Sequence, residues 1–375
     1  MDQAISLVEK KPERNYGIDL FRIVSMIMVL VLHVLGQGHA IYAEVFSSNF
    51  YTGWFLETAA YGAVNCFGLI SGYVGYKAKH KYANILYINL QVTILLLISI
   101  SIYKIRYPEE VVNKDFLKAA LPFAHYVLWY YLAYFCMFFF IPFMNILIKN
   151  VTRNQGRLLV ITIFVIFSII PNFFNYDLYG TSYGYSALWL CLCYLIGAYF
   201  SKYSDDIKIG KSWLALIYLI SVTIAWGYDM ILTKLQYQPY FLSTLIDYTS
   251  PCILVSSCAL LLLFSKIKPP KVVNYGIKFF APLAFSVYII HVSPYFWKKF
   301  MANRFSSYTT LNPFLFPLAV LGTAILLFIC FALIDYVRLL LFKLCRIKQI
   351  CEWIEKKIRS LFEKKKPDEI EKENL

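Results

Sequence analysis

The stretch Arg14-Asn15-Tyr16-Gly17-Ile18-Asp19-Leu20-Phe21-Arg22 is followed by ten residues, nearly all Ile, Val, Met or Leu, and then by His33. As a helix, an apolar run of this length matches the ~30 Å hydrocarbon layer of a bilayer. It nevertheless carries an aspartate, an arginine and a histidine, and charges inside a bilayer persist where they face each other or a cavity. At ~100° per residue, the step from Arg22 to His33 returns to within about 20° of the same face. At 1.5 Å per residue the two lie about 16 Å apart along the axis, with Asp19 near the same stripe. One helix is thus expected to hold a guanidinium near one membrane face and an imidazole in the far third, aligned along one groove.

The rest of the chain is of the same kind. Of 375 residues, 59% are hydrophobic, 18% aromatic and 15% charged, and the mean hydropathy is +0.59. Too few polar side chains remain to cover a water-facing surface of this size, which excludes a soluble enzyme, a disordered chain and a disulfide scaffold. Backbone polar groups must pair internally in lipid, and the apolar runs are continuous rather than alternating, so an all-α polytopic membrane protein is expected. About ten transmembrane helices are read, at 18–36, 54–76, 83–103, 126–148, 158–174, 184–200, 213–233, 249–265, 279–297 and 314–342.

Basic residues test that map. The ends before the first span, after the second, after the fourth, after the sixth and after the eighth are rich in Lys and Arg, as is the tail after Lys343. The intervening loops are poorer, as the positive-inside rule requires, so both termini are expected in the cytoplasm. The net charge of +14 is then topological and calls for no nucleic-acid partner. The nine cysteines show neither zinc-type spacing nor a place in an external loop, so no metal and no disulfide is expected. Two regions are assigned: a membrane domain over 1–345 and a basic amphipathic cytoplasmic tail over 346–375, with Ile350, Trp353, Ile354, Ile358 and Leu361 at helical spacing. Two readings fit that tail, a helix lying on the anionic inner leaflet and a solvated helix.

Chemically, a guanidinium at the inner face can clamp phosphate or pyrophosphate with two parallel hydrogen bonds. An imidazole can take a proton from a hydroxyl. A donor with phosphates at one end and a reactive group on a long arm would bridge them, and coenzyme A thioesters have that shape. The competing reading is structural: an Asp19–Arg22 pair at headgroup level, with His33 bonded to a neighbouring helix.

Five stretches carry a resemblance. Arg14 to His33 reads R-x4-D-L-x-R-x10-H, Phe67 to Tyr73 reads FGLISGY, and His125 to Pro142 reads HYVLWYYLAYFCMFFFIP. Asp247 to Pro251 reads DYTSP, and Ser286 to His291 reads SVYIIH. Together, over about residues 14–345, the chain resembles the membrane-bound acyltransferase-3 family. The resemblance implies transfer of an acyl group, usually acetyl, from cytoplasmic acetyl-CoA or another acyl-CoA to a hydroxyl of an extracytoplasmic glycan. It implies that His33 is the catalytic histidine and Arg22 the arginine that opens the R-x10-H motif. One departure stands out: many members carry an R-x-x-R pair on the third span, and Tyr82 to Tyr87 has none. Donor binding is then expected from Arg22 and Asp19 with the basic loop Lys77, Lys79 and Lys81.

Further candidates follow from depth and residue type. His291 could orient a substrate or reach the His33 region, and Glu57 could orient the imidazole as carboxylates commonly do. For the acceptor, Trp129, Tyr130, His125, Asn65, Ser71 and Tyr288 are candidates, although an aromatic belt or close helix packing would account for several of them. Asp229 and Asp247 flank the loop after the seventh span, where acidic groups could hydrogen-bond a sugar, although solvated loop carboxylates are the simpler explanation. The expected localisation is the bacterial cytoplasmic membrane, with the lipid bilayer, acyl-CoA and a glycan as partners and the oligomeric state open. The alternative is a glycan-intermediate transporter or flippase, disfavoured because no inverted repeat is visible and the ionisable groups gather in one helix.

Overall fold

The computed structural model describes residues 14–124, 128–236 and 244–363, and among these it is helical with no strand. Helix α1 (Tyr16–Leu35) begins where the Asn15 side chain accepts a hydrogen bond from the Ile18 N–H, satisfying one of the free donors of a helix start. It is followed by α2 (Ser48–Tyr61), α3 (Ala63–Gly75), α4 (Tyr82–Arg106), the short α5 (Asn113–Ala120) and α6 (Trp129–Asn150). Next come α7 (Arg153–Phe164), a π turn (Val165–Ile169), α8 (Ile170–Phe174), α9 (Ala187–Lys202) and α10 (Lys211–Leu235). The remainder comprises α11 (Pro251–Ser265), α12 (Lys271–Phe280), α13 (Ala284–His291), α14 (Leu315–Leu344) and α15 (Ile347–Glu363).

Seven of the described helical segments are long and apolar enough to cross a membrane, and α9 and α11 are shorter apolar helices. The second expected span is not one rod. It breaks at Gly62, where a Cβ would stand 2.5 Å from Ser257 Oγ, so the break lets α11 approach. The ninth starts earlier than expected: α12 takes Lys271 to Lys278 out of the loop and into a helix. A turn at Ala281–Leu283 and the short α13 follow, ending at His291 rather than running on to 297.

Glycine sets the closest contact. A Cβ on Gly72 of α3 would lie 1.9 Å from the Tyr194 carbonyl oxygen, and one on Gly197 of α9 would lie 2.0 Å from that of Leu69. The two helices therefore touch backbone to backbone, as small residues permit in membranes. The π turn before Pro171 serves a different purpose. Ser168 Oγ donates to the Thr249 carbonyl and Asn172 Nδ2 to that of Thr244, so the bulged helix pins the segment leading into α11.

Helix α15 packs on the start of α4. Its buried Glu355 accepts a hydrogen bond from the Ala83 N–H at 3.0 Å, a remote carboxylate capping a helix whose own N-cap, Lys81, provides no side-chain bond. Burial raises the Glu355 pKa, but the Ala83 N–H and the Arg359 guanidinium outweigh it and hold the carboxyl below its ordinary value. Ile350, Trp353, Ile358 and Leu361 remain exposed on this helix.

Candidate active site

Inside the bundle the groove on α1 is real. At the Arg14 end, Asp19 lies between two arginines, accepting from Arg14 Nε at 2.5 Å and from Arg22 Nη1 at 2.7 Å. Arg14, Asp19, Arg22, Tyr73 and Lys77 line a mouth of about 520 Å³. Arg22 also lines a middle cavity of about 350 Å³ with Ser71, Tyr87, Gln91 and Tyr134. Phe67, Tyr130 and Phe285 are shared between that cavity and an inner chamber of about 50 Å³ that contains His33. Three neighbouring spaces thus lie in series from Arg14 to the imidazole, the first two sharing Arg22 as a wall and the last two Phe67, Tyr130 and Phe285.

The bonding of His33 fixes its tautomer. His291 Nδ1 lies 2.6 Å from the Val287 carbonyl oxygen. A carbonyl only accepts, so the proton sits on Nδ1 and the neutral ring of buried His291 offers a lone pair at Nε2. That Nε2 lies 2.7 Å from His33 Nδ1, which must therefore carry a proton and donate. The remaining lone pair of neutral His33 is on Nε2. The arrangement suits a general base: His33 Nε2 can take a proton, and the charge gained is shared through Nδ1 with His291. Trp297 closes another side, its ring 4.8 Å from that of His33 and nearly perpendicular to it.

Several expectations are corrected here. Glu57 does not orient His33: that role belongs to His291, and Glu57 lines a separate cavity with Trp54, Tyr61 and Asp229. Asn65 does not face the acceptor. It is fully buried, donating to the Tyr248 carbonyl at 2.8 Å and accepting from Trp189 Nε1 at 2.7 Å, a clamp on the segment before α11. Lys81 is turned away from the mouth and paired with Glu352 of α15 at 3.2 Å, and of the loop lysines it is Lys77 that lines the mouth. Lys79 is exposed. Trp129, Tyr130 and Tyr288 do line the inner chamber, and Ser71 the middle one, its hydroxyl donating to the Phe67 carbonyl. His125 lies outside the described residues.

Three features escaped the sequence reading. Tyr248 and Trp297 enclose the histidine, although Tyr248 sits in the DYTSP stretch. The third is a buried ion pair in α14, where Arg338 grips Asp335 at 2.6 and 2.8 Å and reaches the Tyr87 hydroxyl at 3.3 Å. Ser286 accepts from both Arg338 and Gln91, so this network braces the middle cavity behind Tyr87 and Gln91. An intramembrane charge pair is visible in sequence, and Asp335 and Arg338 stand three residues apart.

Comparison with known proteins adds one finding. The family model described as an acyltransferase domain, that of acyltransferase 3, matches residues 15–334. No curated protein matches the chain. No solved structure matches it either. The match spans most of the chain and contains the whole path from Arg22 to His33, so the protein is a multi-pass membrane protein belonging to the acyltransferase-3 family.

Proposed function

We propose that this protein is a membrane O-acyltransferase, most simply an O-acetyltransferase, that moves an acyl group from cytoplasmic acyl-CoA to a hydroxyl of an extracytoplasmic polysaccharide or glycolipid. The observation that supports the reading is the series of three neighbouring cavities with shared walls from the Arg14–Arg22 mouth to His33. In this reading ten crossings place both termini in the cytoplasm of a bacterial cell, with the α2–α3 pair and the short α9 and α11 counted as spans. The alternating basic loops support that orientation.

The donor phosphates rest at the mouth, where Arg22 and Lys77 supply positive charge and Arg22 can fork onto two phosphate oxygens. The pantetheine arm occupies the middle cavity, and the thioester lies in the inner chamber, whose size and lining by Met26, Val29 and Leu32 favour a short acyl group. His33 Nε2 takes the proton of the acceptor hydroxyl as its oxygen attacks the thioester carbonyl. The new C–O bond forms, the C–S bond breaks, and the proton passes from His33 to the departing thiolate, releasing free CoA and the ester.

Purified protein supplied with radiolabelled acetyl-CoA and native membrane glycan provides the test. Wild type should release CoA and label the glycan, and His33→Ala should do neither while remaining folded in the membrane. Equal activity in His33→Ala would remove the base from the mechanism. A wild type that moves label across the membrane without releasing CoA would favour a transporter.

A further inference from the structure

The catalytic path leaves one large cavity unused. It measures about 690 Å³ and is lined by Trp54, Glu57 and Tyr61 of α2, Asp229 and Thr233 of α10, and Thr244. In the orientation proposed above it opens on the outer side, since α2 descends from there and α10 ends there. Glu57 Oε2 is buried with no hydrogen-bond partner among the described residues, an expensive arrangement unless a donor arrives. Asp229 accepts from the Thr244 hydroxyl at 3.2 Å. No Lys or Arg appears among the described lining residues.

A thin aromatic wall separates this vestibule from the His33 chamber. Tyr61 lines the vestibule and Tyr248 the chamber, with their ring centroids 4.9 Å apart. The segment before α11 alternates sides, Ile246 facing the vestibule and Tyr248 the chamber. It is held by the bonds from Asn65, Ser168 and Asn172. A second outer cavity, next to Trp297, is less suited to an uncharged ligand, because it is lined by charges, Lys298 among them, and both of its carboxylates are already paired. There Asp115 pairs with Lys118 at 3.0 Å, and Glu110 with Lys299 at 2.5 Å.

We infer that the vestibule between α2 and α10 is the acceptor site, that it takes an uncharged, hydroxyl-rich sugar, and that the Tyr61–Tyr248 ring pair is the door through which the hydroxyl reaches His33. Aromatic faces at Trp54 and Tyr61 stack on the C–H faces of a pyranose, and the two carboxylates accept from its hydroxyls. With no Lys or Arg among the described lining residues, the site offers a phosphate or uronate no counter-charge. This inference rests on the acyl-transfer reading, and its test keeps the two apart.

Native membranes carrying the full-length protein and radiolabelled acetyl-CoA give two readouts, label in glycan and release of CoA, the acyl group passing to the glycan hydroxyl or, where no sugar is bound, to water as free acetate. Thr233→Trp fills the vestibule from an exposed position. It should cut glycan label by about tenfold or more, and any CoA still released should be matched by free acetate. Unchanged glycan label in this variant, beside an active wild type, would overturn the acceptor site, whereas a wild type that releases no CoA would sink the acyl-transfer reading itself. Should Thr233→Trp fail to reach the membrane, Thr233→Cys labelled with an impermeant maleimide decides: labelling should stop glycan transfer, and continued transfer refutes the site. Glycan fragments released from the same membranes and split into neutral and anionic pools test the ligand class. The neutral pool should slow Thr233→Cys labelling, and protection by the anionic pool alone, or by neither, refutes it.

Discussion

His33 and His291 act as a pair whose tautomers are set by a single backbone carbonyl, that of Val287. Replacing His291 by Phe removes the acceptor for His33 Nδ1–H, so the ring is no longer held with Nε2 free. The turnover number is expected to fall by roughly 10²-fold with little change in the KM for acetyl-CoA. His291→Gln, whose side-chain oxygen can still accept, should recover part of it. Equal losses in both variants would mean that His291 serves packing alone. At this scale the sequence was informative where lipid makes a residue costly: Arg22, His33 and His291 stand out because ionisable groups in an apolar run need a reason. Glu57 misled because depth along an axis says nothing about azimuth on a different helix. Tyr248 and Trp297 were hidden for the opposite reason, since among 31 Tyr and 31 Phe one more aromatic carries no contrast.

Helices α3 and α9 are joined by a contact that only hydrogen fits. Gly72→Ala would drive a methyl group into the Tyr194 carbonyl at 1.9 Å, and overpacking of that kind costs about 1–3 kcal/mol. A lower midpoint of thermal unfolding in detergent is the expected outcome. Gly227→Ala in α10 is the control, because nothing lies within 4 Å of its added Cβ, and it should be neutral or slightly stabilising. Equal midpoints for the two variants would contradict the packing described. The long apolar helices were legible from hydropathy, and seven among the described residues are long enough to cross a membrane. Their interruptions were not legible: Gly62 breaks an apolar run with no change of composition, and the turn at Ala281–Leu283, although it holds Pro282, falls just inside another. The register of the tail helix was legible too, but which face docks was not. Glu355 reads as one more solvated charge until the bare N-terminus of α4 is placed beside it.

Across the whole molecule, three spaces lie in series along α1, and on the proposed reading a donor arm must occupy the middle one. Ser71→Trp projects a ring into that space from α3. It should abolish acetyl-CoA-dependent CoA release while leaving the protein inserted and the mouth able to bind a short CoA fragment such as 3′,5′-ADP. Full activity in this variant would route the donor elsewhere. The path was anticipated only as a stripe on one helix, because the walls opposite it come from helices distant in sequence, whose pairing no local pattern encodes.

Carrying both the cation and the base on α1 has a metric consequence. Their separation is set by helical rise rather than by how helices happen to pack, so α1 works as a ruler cut to a fixed length of carrier arm. One residue inserted between Arg22 and His33 would lengthen it by only 1.5 Å but swing the imidazole through about 100°, away from His291 altogether. On the proposed reading, acyl size and sugar identity are therefore set at the surrounding walls, while the span between the two marks on the ruler stays at a single value.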